Sequence, residues 1–410
     1  MNRKIWILNH YAVLPSEYGG TRHYDFSVEL VKRGYDVTIF AASYNHFNKT
    51  DRIGKERETQ KFECIDGVKF VWLKTFPKYR GNGLKRLINM FSYLIAMLKV
   101  YPEYEKPDVV IGSSVHLFAC VAAYFISKRT GSRFLCEIRD LWPQTLIDMG
   151  TISKNHPLAV FFRIIEKFVY KRAEKIIVLL PNSYDYLKQC HIQESKLVYI
   201  PNGVNIEFFD KLLEDSSLKL PEDIENDLNV GFSCIYTGSI GLANCMDTVI
   251  KAAEILNENE YNIKFIIVGE GAEKARLMDY CRKENVDNVT FYPSVSKRII
   301  PKILDLSDIA LIASKNIELY KYGVSFNKLF DYLCARKPVV FACRTSNDII
   351  KAADAGISIE PENPMLMAEA IIELYEMDEE NRKAMGNRGR RYIEDNHDII
   401  GLVSTLGKLF

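Results

Sequence analysis

The residues best spaced for chemistry lie in Tyr322-Gly-Val-Ser-Phe-Asn-Lys-Leu-Phe-Asp-Tyr-Leu-Cys-Ala-Arg-Lys-Pro-Val-Val340. This stretch reads as a loop, a short helix and a buried strand. Gly323 frees the loop backbone, Val324 follows it, and Ser325 is a preferred helix N-cap. Asn327, Lys328 and Asp331 share one helical face, and Leu329, Phe330 and Leu333 share the opposite face, which suits a covered sheet. Pro338 ends the helix and starts the apolar run Val339–Ala342. A helix N-terminus carries unpaired N–H groups and partial positive charge, which attract a phosphate. Lys328 adds a full charge in the first turn, where a cation opposes the dipole unless an anion faces it. Asp331, one turn on, can accept two hydrogen bonds from a diol such as that of a ribose. The pattern fits a nucleotide site, and it equally fits an ordinary amphipathic helix with a solvated Lys and Asp.

The elements that must position these groups come from a chain of 410 residues, long enough for about two domains. Charged residues make up 26% and hydrophobic residues 48%, as in soluble globular proteins. The net charge of +1 gives no long-range pull toward nucleic acid. Nine cysteines are scattered in apolar surroundings without metal-site spacing, which reads as reduced thiols in a cytoplasmic protein. The N-terminus runs directly into strand-like Lys4–Leu8, so no signal peptide is expected. No apolar run approaches the ~18 residues that span a bilayer.

Apolar runs alternate with helical stretches throughout. Strands are expected at Lys4–Asn9, Asp36–Ala42, Val68–Leu73, Asp108–Gly112, Arg133–Ile138, Lys175–Leu180 and Leu197–Ile200. A second set falls at Gly231–Thr237, Ile263–Val268, Val289–Phe291, Ile309–Ala313, Pro338–Ala342 and Gly356–Ile359. Their continuous apolar character predicts parallel sheets covered on both faces, hence an α/β protein with two doubly wound domains. The turn Pro201-Asn-Gly203 and the charge-rich segment Lys211–Asn229, read as a linker or exposed cover, separate them. Ligands of such sheets bind beyond the carboxyl ends of the strands. Gly19-Gly20, Gly238-Ser239 and Gly269-Glu-Gly271 occupy such turns. Neither half has a G-x-G-x-x-G, so a nicotinamide cofactor is not indicated.

Several motifs resemble those of glycosyltransferase family 4. They are Gly19-Gly-Thr-Arg-His-Tyr-Asp-Phe26 with Lys32–Ile39, Ile200-Pro-Asn-Gly-Val204, Gly269-Glu-Gly271, Asn288-Val-Thr-Phe-Tyr-Pro293 and Gly389-Arg-Arg-Tyr-Ile393. Glu137-Ile-Arg-Asp-Leu-Trp-Pro143 and Tyr322–Tyr332 are most similar to a bacterial subgroup acting in capsule or O-antigen assembly. The resemblance implies the GT-B architecture, two Rossmann-like domains facing across a cleft. Residues 1–205 would form the acceptor-binding domain and 206–385 the nucleotide-sugar domain, with a helix at 386–410 packing back on the first. It further implies a retaining transfer from a UDP-sugar to a saccharide on undecaprenyl diphosphate, at the inner face of the cytoplasmic membrane. An N-acetylated, perhaps 6-deoxy, hexosamine is the donor sugar expected by this likeness. Donor-binding positions carried over are Gly19, Gly20, Gly238, Ser239, Gly269, Glu270, Pro293, Gly323, Val324, Ser325, Asn327, Lys328 and Asp331. Arg22 and His23 fall on the acceptor side.

The departures shape the expected mechanism. The family usually has two Glu eight residues apart before the Pro-containing strand. Here Asp331 takes the second place, with a ribose role, and Gly323 the first, where it cannot touch the sugar. The family's Arg and Lys after the first strand of the second domain are Ser239 and Asn244 here. The diphosphate charge must then be met elsewhere, first by Lys328 and next by Lys321. Arg139 stands where many members carry a His near the donor sugar; it either contacts the leaving diphosphate or pairs with Asp140. His23 is either a helix-surface residue or a base, and Trp142 reads as packing. No Asp-x-Asp and no ligand cluster with metal spacing occurs, so transfer without a metal or other cofactor is expected, with Lys328 and Arg139 as the catalytic charges. Lys74, Lys78, Arg80, Lys85 and Arg86 precede the apolar helix Leu87–Leu98, which suits an anionic membrane surface; Phe161–Val169 is a second such helix, better read as buried. A sugar-nucleotide epimerase of the same architecture, and a non-catalytic nucleotide-sugar-binding protein, are the competing readings.

Overall fold

Runs of β-branched and aromatic residues with no polar alternation can be satisfied only by strands covered on both faces. The computed structural model, which describes residues 3–410 except 18, 47, 55, 56 and 82, contains two such sheets. The chain divides into two compact units, one of Met1–Pro201 with Ile399–Phe410 and one of Asn202–Asp398.

The first unit holds β1 (Lys4–Leu8), β2 (Asp36–Ala42), β3 (Gln60–Ile65), β4 (Val68–Leu73), β5 (Val109–Ser114), β6 (Arg133–Ile138), β7 (Lys175–Val178) and β8 (Leu197–Tyr199). They lie in the order β3-β4-β2-β1-β5-β6-β7-β8. All pair in parallel except β3 with β4. The chain winds one way from β1 to β4 and the other way from β5, so β1 and β5 flank the topological switch point. Helices α1 (Arg22–Lys32), α2 (Leu84–Val100), α3 (Leu117–Thr130), α4 (Gln144–Asp148), α5 (Pro157–Arg172) and α6 (Ser183–Leu187) accompany these strands. Strand β3 has no counterpart in the apolar runs, because all of its residues are exposed or half-buried on the sheet edge.

The second unit holds β9 (Phe232–Thr237), β10 (Ile263–Val268), β11 (Val289–Tyr292), β12 (Ile309–Ala313), β13 (Val339–Ala342) and β14 (Gly356–Ile359). Their order is β11-β10-β9-β12-β13-β14, all parallel. Its helices are α7 (Ile206–Glu214), α8 (Glu222–Leu228), α9 (Met246–Glu258), α10 (Lys274–Lys283), α11 (Ile300–Leu306), α12 (Asn327–Cys334), α13 (Ile349–Ala353), α14 (Pro364–Glu376) and α15 (Glu379–Asn396). The last helix, α16 (Ile399–Gly407), returns to the first unit.

Two expectations need correction. The segment Lys211–Asn229 is no exposed linker: α7 and α8 bury Phe209, Leu212, Ile224 and Leu228 in the second unit, spaced three or four apart on each helix as a core face requires. The helix expected at 386–410 is two helices with different homes. In α15, a Cβ on Gly386 would meet the Arg336 carbonyl oxygen at 1.8 Å and one on Gly389 would meet Leu333 Cδ2 at 2.7 Å, so this helix is seated on the second unit. In α16, Ile399, Leu402, Val403 and Leu406 join the core of the first.

One surface of the first unit is apolar. Helix α2 exposes Leu84, Ile88, Phe91 and Ile95, and α5 exposes Val160, Phe161 and Ile164. The α5 helix thus buries only part of its apolar residues, Phe162 and Val169 among them. The rings of Phe91, Phe118 and Phe162 run in sequence from α2 through α3 to α5, at centroid spacings of 5.5 and 5.8 Å. Lys78, Arg80, Lys85 and Lys167 are exposed near the two helices in sequence.

Candidate active site

In the second unit the carboxyl ends of β9 and β10 are built from glycines because two backbones must touch. A Cβ on Gly269 would lie 1.8 Å from the Gly238 carbonyl oxygen, and one on Gly271 would lie 2.0 Å from that of Ile240. Gly238 N–H donates to Val268 O at 3.0 Å, and Ile240 N–H to Glu270 O at 2.9 Å. Lys274 braces the second loop by donating to the carbonyls of Gly269 and Tyr292 and to the Glu270 carboxylate. Glu270 is thereby ion-paired at the loop, and Pro293 follows the end of β11.

Helix α12 is docked on this edge by Tyr332, whose hydroxyl accepts from Thr237 N–H at 2.7 Å. The loop before it is clamped by Asn347, which accepts from Val324 N–H and donates to Val324 O. Ser325 does not cap the helix. Its hydroxyl accepts from Asn202 N–H at 2.9 Å and its carbonyl accepts from the Asn202 amide. The helix starts at Asn327, preceded by Phe326, with no side-chain cap and no acid in its first turn. Gly323 adopts φ +108°, a region that residues with a Cβ avoid. The missing carboxylate there is thus matched by a backbone shape that favours glycine.

Lys328 is the centre of the arrangement. Its Nζ donates to Tyr236 Oη at 2.7 Å and to Asn244 Oδ1 at 2.9 Å, and lies 4.1 Å from the Tyr236 ring centroid. The Tyr236 hydroxyl in turn donates to Ser239 O at 2.7 Å. A Cβ on Gly238 would crowd Lys328 Cε at 3.2 Å, so the glycine leaves room for this side chain. An ammonium has three N–H donors, and two are used by these bonds. Withdrawal from water lowers the Lys328 pKa to about 7. Asp331 sits one turn on, with Lys297 Nζ at 3.8 Å. Burial raises its carboxyl against the pull of Lys297. Lys321, the second candidate for the diphosphate, is instead exposed and paired with Glu318. The sequence contained no signal for Tyr236, Asn347 or Tyr332 as partners, since each lies far along the chain from the group that it positions.

The first unit holds the remaining candidates. Gly19, at φ +138°, and Gly20 follow β1 and precede α1. Arg22 and His23 are turned inward to Glu137 on β6. Arg22 Nε donates to Oε1 at 2.9 Å, and His23 Nε2 lies 2.6 Å from Oε2. Arg22 also donates to the carbonyls of Ile200 and Pro201, while His23 Nδ1 lies 2.8 Å from Asn9 Nδ2. Burial alone would push the Glu137 carboxyl up; the charges of His23 and Arg22 outweigh it and hold the group well below the usual range. His23 is therefore no helix-surface residue, and both side chains reserved for the acceptor are engaged inside the unit. Arg139 forms no ion pair with Asp140 within 4 Å among the described residues, and its Nε is buried without a partner. The Asp140 carboxyl is raised by burial, against the charges of Arg139 and Arg86. No group of three or more metal-ligating side chains occurs among the described residues.

Known proteins match this architecture. Residues 19–208 fit the family described as Glycosyltransferase Family 4, and residues 233–392 fit Glycosyl transferases group 1. Between them these matches take in most of the chain, which belongs to the family 4 glycosyltransferases and has the GT-B fold. The putative colanic acid biosynthesis glycosyl transferase WcaI of Escherichia coli K12 is 21% identical over 293 residues, 70% of each chain. Sucrose-phosphate synthase from Thermosynechococcus elongatus superposes with a TM-score of 0.75 at 14% identity, over 100% of this chain and 98% of that one. Anabaena Alr3699/HepE, solved with UDP and glucose, gives 0.71 at 13% identity, over 100% and 99%.

Proposed function

We propose that this glycosyltransferase moves a sugar from a UDP-sugar to a lipid-linked saccharide during assembly of a bacterial surface polysaccharide, with retention of anomeric configuration and without a metal. The donor sugar is taken to be an N-acetylated hexosamine. The observation that carries the reading is the Lys328 amine, held at the glycine-built ends of β9 and β10 beside an uncapped helix start. Protonated when the donor binds, it supplies positive charge for a departing diphosphate, the role that a metal ion plays elsewhere. In this reading Asp331, one turn on, accepts the ribose hydroxyls. The relative named for colanic acid biosynthesis supports a polysaccharide product, and the fold neighbour solved with UDP supports a uridine donor.

The apolar faces of α2 and α5 support a peripheral position on the inner face of the cytoplasmic membrane, where a polyprenyl-linked acceptor resides. Exposed apolar side chains beside lysines and arginines suit an anionic interface. The test is transfer of labelled N-acetylhexosamine from its UDP ester to a saccharide on polyprenyl diphosphate, in chelator, with the product anomer read by NMR. Absence of transfer by a chain that binds UDP would refute the reading.

A further inference from the structure

The two sheets leave four edge strands, β3 and β8 in the first unit and β11 and β14 in the second. An open edge offers unpaired N–H and C=O groups to another chain, and proteins usually blunt it with short strands, bulges, proline or a cover. Strand β8 has three residues, and β11 and β14 have four each. Strand β3 has six, Gln60-Lys-Phe-Glu-Cys-Ile65, without proline. Its register with β4 runs unbroken from Gln60–Leu73 to Ile65–Val68, and among the described residues no strand pairs with its outer side. Phe62 is 55% exposed, and the Cys64 thiol is exposed beside it.

The hairpin decides which backbone groups face outward. Asp66 at φ +50° and Gly67 at φ +79° make its two-residue turn, and the flanking pair Ile65–Val68 exchanges hydrogen bonds. At the other end of the ladder the Lys74 N–H donates to Thr59 O at 2.9 Å, in the same phase. Lys61, Glu63 and Ile65 therefore spend their backbone groups on β4. Those of Gln60, Phe62 and Cys64 point away from the sheet, since alternate residues of a strand bond to opposite sides.

A second copy of this chain completes that edge in one register. A closed dimer has a two-fold axis, so the strands run antiparallel and each outward-facing residue must meet another. With Phe62 opposite Phe62, Gln60 faces Cys64 and Lys61 faces Glu63, the last as a non-hydrogen-bonded pair, where side chains come closest. A shift of two residues either way sets Lys61 against Lys61 or Glu63 against Glu63, and a shift of one leaves the outward donors unmatched. Like charges directly opposite destabilise a sheet and opposite charges support it. Within one copy Lys61 Nζ lies 2.7 Å from Glu63, which also accepts from Trp72 Nε1. The axis thus joins two ion pairs into a ring of alternating sign.

We propose that the protein forms a two-fold dimer by antiparallel pairing of β3 with β3 of a second copy, centred on Phe62. The axis is normal to the sheet, so α2, which packs beside β4, lies on the same side of the joined sheet in both copies. A strand edge buries less than a standard interface, so dissociation in the micromolar range is expected.

The test is sedimentation velocity of the full chain from about 1 to 200 µM, which brackets that range. Wild type should pass from monomer to dimer. Phe62→Lys sets two ammonium groups against each other at the axis and should weaken association at least about tenfold. Its circular dichroism and Tm, taken where wild type is monomeric, should be unchanged because the side chain is exposed. A bridge reads the register. Gln60→Cys puts a thiol about 5.5 Å, Cα to Cα, from Cys64 of the second copy, within disulfide reach, whereas the two positions lie ~14 Å apart along one strand. Oxidation with diamide should then give a covalent dimer joined from position 60 to Cys64, and adding Cys64→Ser should abolish it. Wild type that stays monomeric throughout, a dimer that Phe62→Lys leaves equally tight, or a bridge from Cys64 to Cys64 overturns the proposal.

Discussion

If Lys328 neutralises a diphosphate, donor binding must take up a proton. In the free protein, withdrawal from water lowers its pKa to about 7, so at pH 8 the amine is mostly uncharged. A diphosphate at contact distance favours the ammonium, by about 4 kcal/mol at an effective dielectric constant of 20. At about 1.4 kcal/mol per pKa unit, this returns the bound amine to the ordinary lysine range. Binding is then linked to protonation between the free and bound values. The dissociation constant for a UDP-sugar should be flat below pH 6.5 and rise about tenfold per pH unit from pH 7.5 to 9.

A UDP-sugar is the right probe because its diphosphate is esterified at both ends and does not itself titrate in this window. Calorimetry at pH 8 in two buffers of different ionisation enthalpy should report uptake of close to one proton, and at pH 6 close to none. Lys328→Met should abolish the linkage and weaken binding by about 10- to 100-fold, the worth of a charged hydrogen bond. A dissociation constant that stays level from pH 6.5 to 9, or an uptake of zero at pH 8, would show that Lys328 does not face the diphosphate. In the free protein the sign runs the other way. The folded-state pKa lies below the unfolded value near 10.5, so the unfolded chain holds more protons between about pH 7 and 10.5, and this group's contribution to stability rises with pH across that window.

Three further outcomes test other parts. Gly269→Ala puts a Cβ 1.8 Å from the Gly238 carbonyl oxygen, so it should cost about 1–3 kcal/mol by overpacking, lower Tm and weaken UDP binding, whereas Gly241→Ala, with open space around it, should change neither. Glu137→Gln leaves the Arg22 charge buried without its partner and should destabilise the protein by about 3–5 kcal/mol in urea titration. In wild type the depressed Glu137 carboxyl contributes stability that is complete above about pH 4.5 and lost as pH falls below it, so acid unfolding should lose part of its pH dependence in that variant. The double change Ile88→Glu and Phe91→Glu removes two apolar groups 43% and 47% exposed; at roughly half of the ~2 kcal/mol that full burial is worth for each, sedimentation with anionic vesicles should weaken about 30-fold while UDP binding is unchanged.

What the sequence revealed depended on how local the cause was. Most of the strands β1, β2 and β4 to β14 were legible because burial on both faces leaves a continuous apolar run, and the half-buried edge strands β8, β11 and β14 keep enough of that character to be read with them. Strand β3 was not, since an antiparallel edge exposes Phe62 and turns Glu63 inward to Trp72 Nε1. Charge misled at α7 and α8: the acids Glu222, Asp223 and Glu225 mark a helix start facing water, and Ile224 and Leu228 between them form the buried side. Ser325 had the right chemistry for a cap, but its hydroxyl is claimed by Asn202, 123 residues away.

The same distance dependence resolves the apparent loss of charge in the proposed donor site. Position by position, Asn244 stands where the family pattern has a basic residue, which suggests a weakened site. In space, the Asn244 side chain accepts a hydrogen bond from Lys328 Nζ at 2.9 Å. The basic group therefore occupies the loop after β9, although it is carried there by α12, 84 residues further on. Gly238 leaves room for the lysine stem, and Tyr236 bridges its amine to the Ser239 carbonyl. A position that lost its cation and a helix that carries one against its own dipole are then one feature, visible only when the two elements are placed side by side. Restoring Asn244→Lys would set a second ammonium against the first. Repulsion between them should lower transition temperature and donor affinity together, where a site merely short of charge would gain affinity.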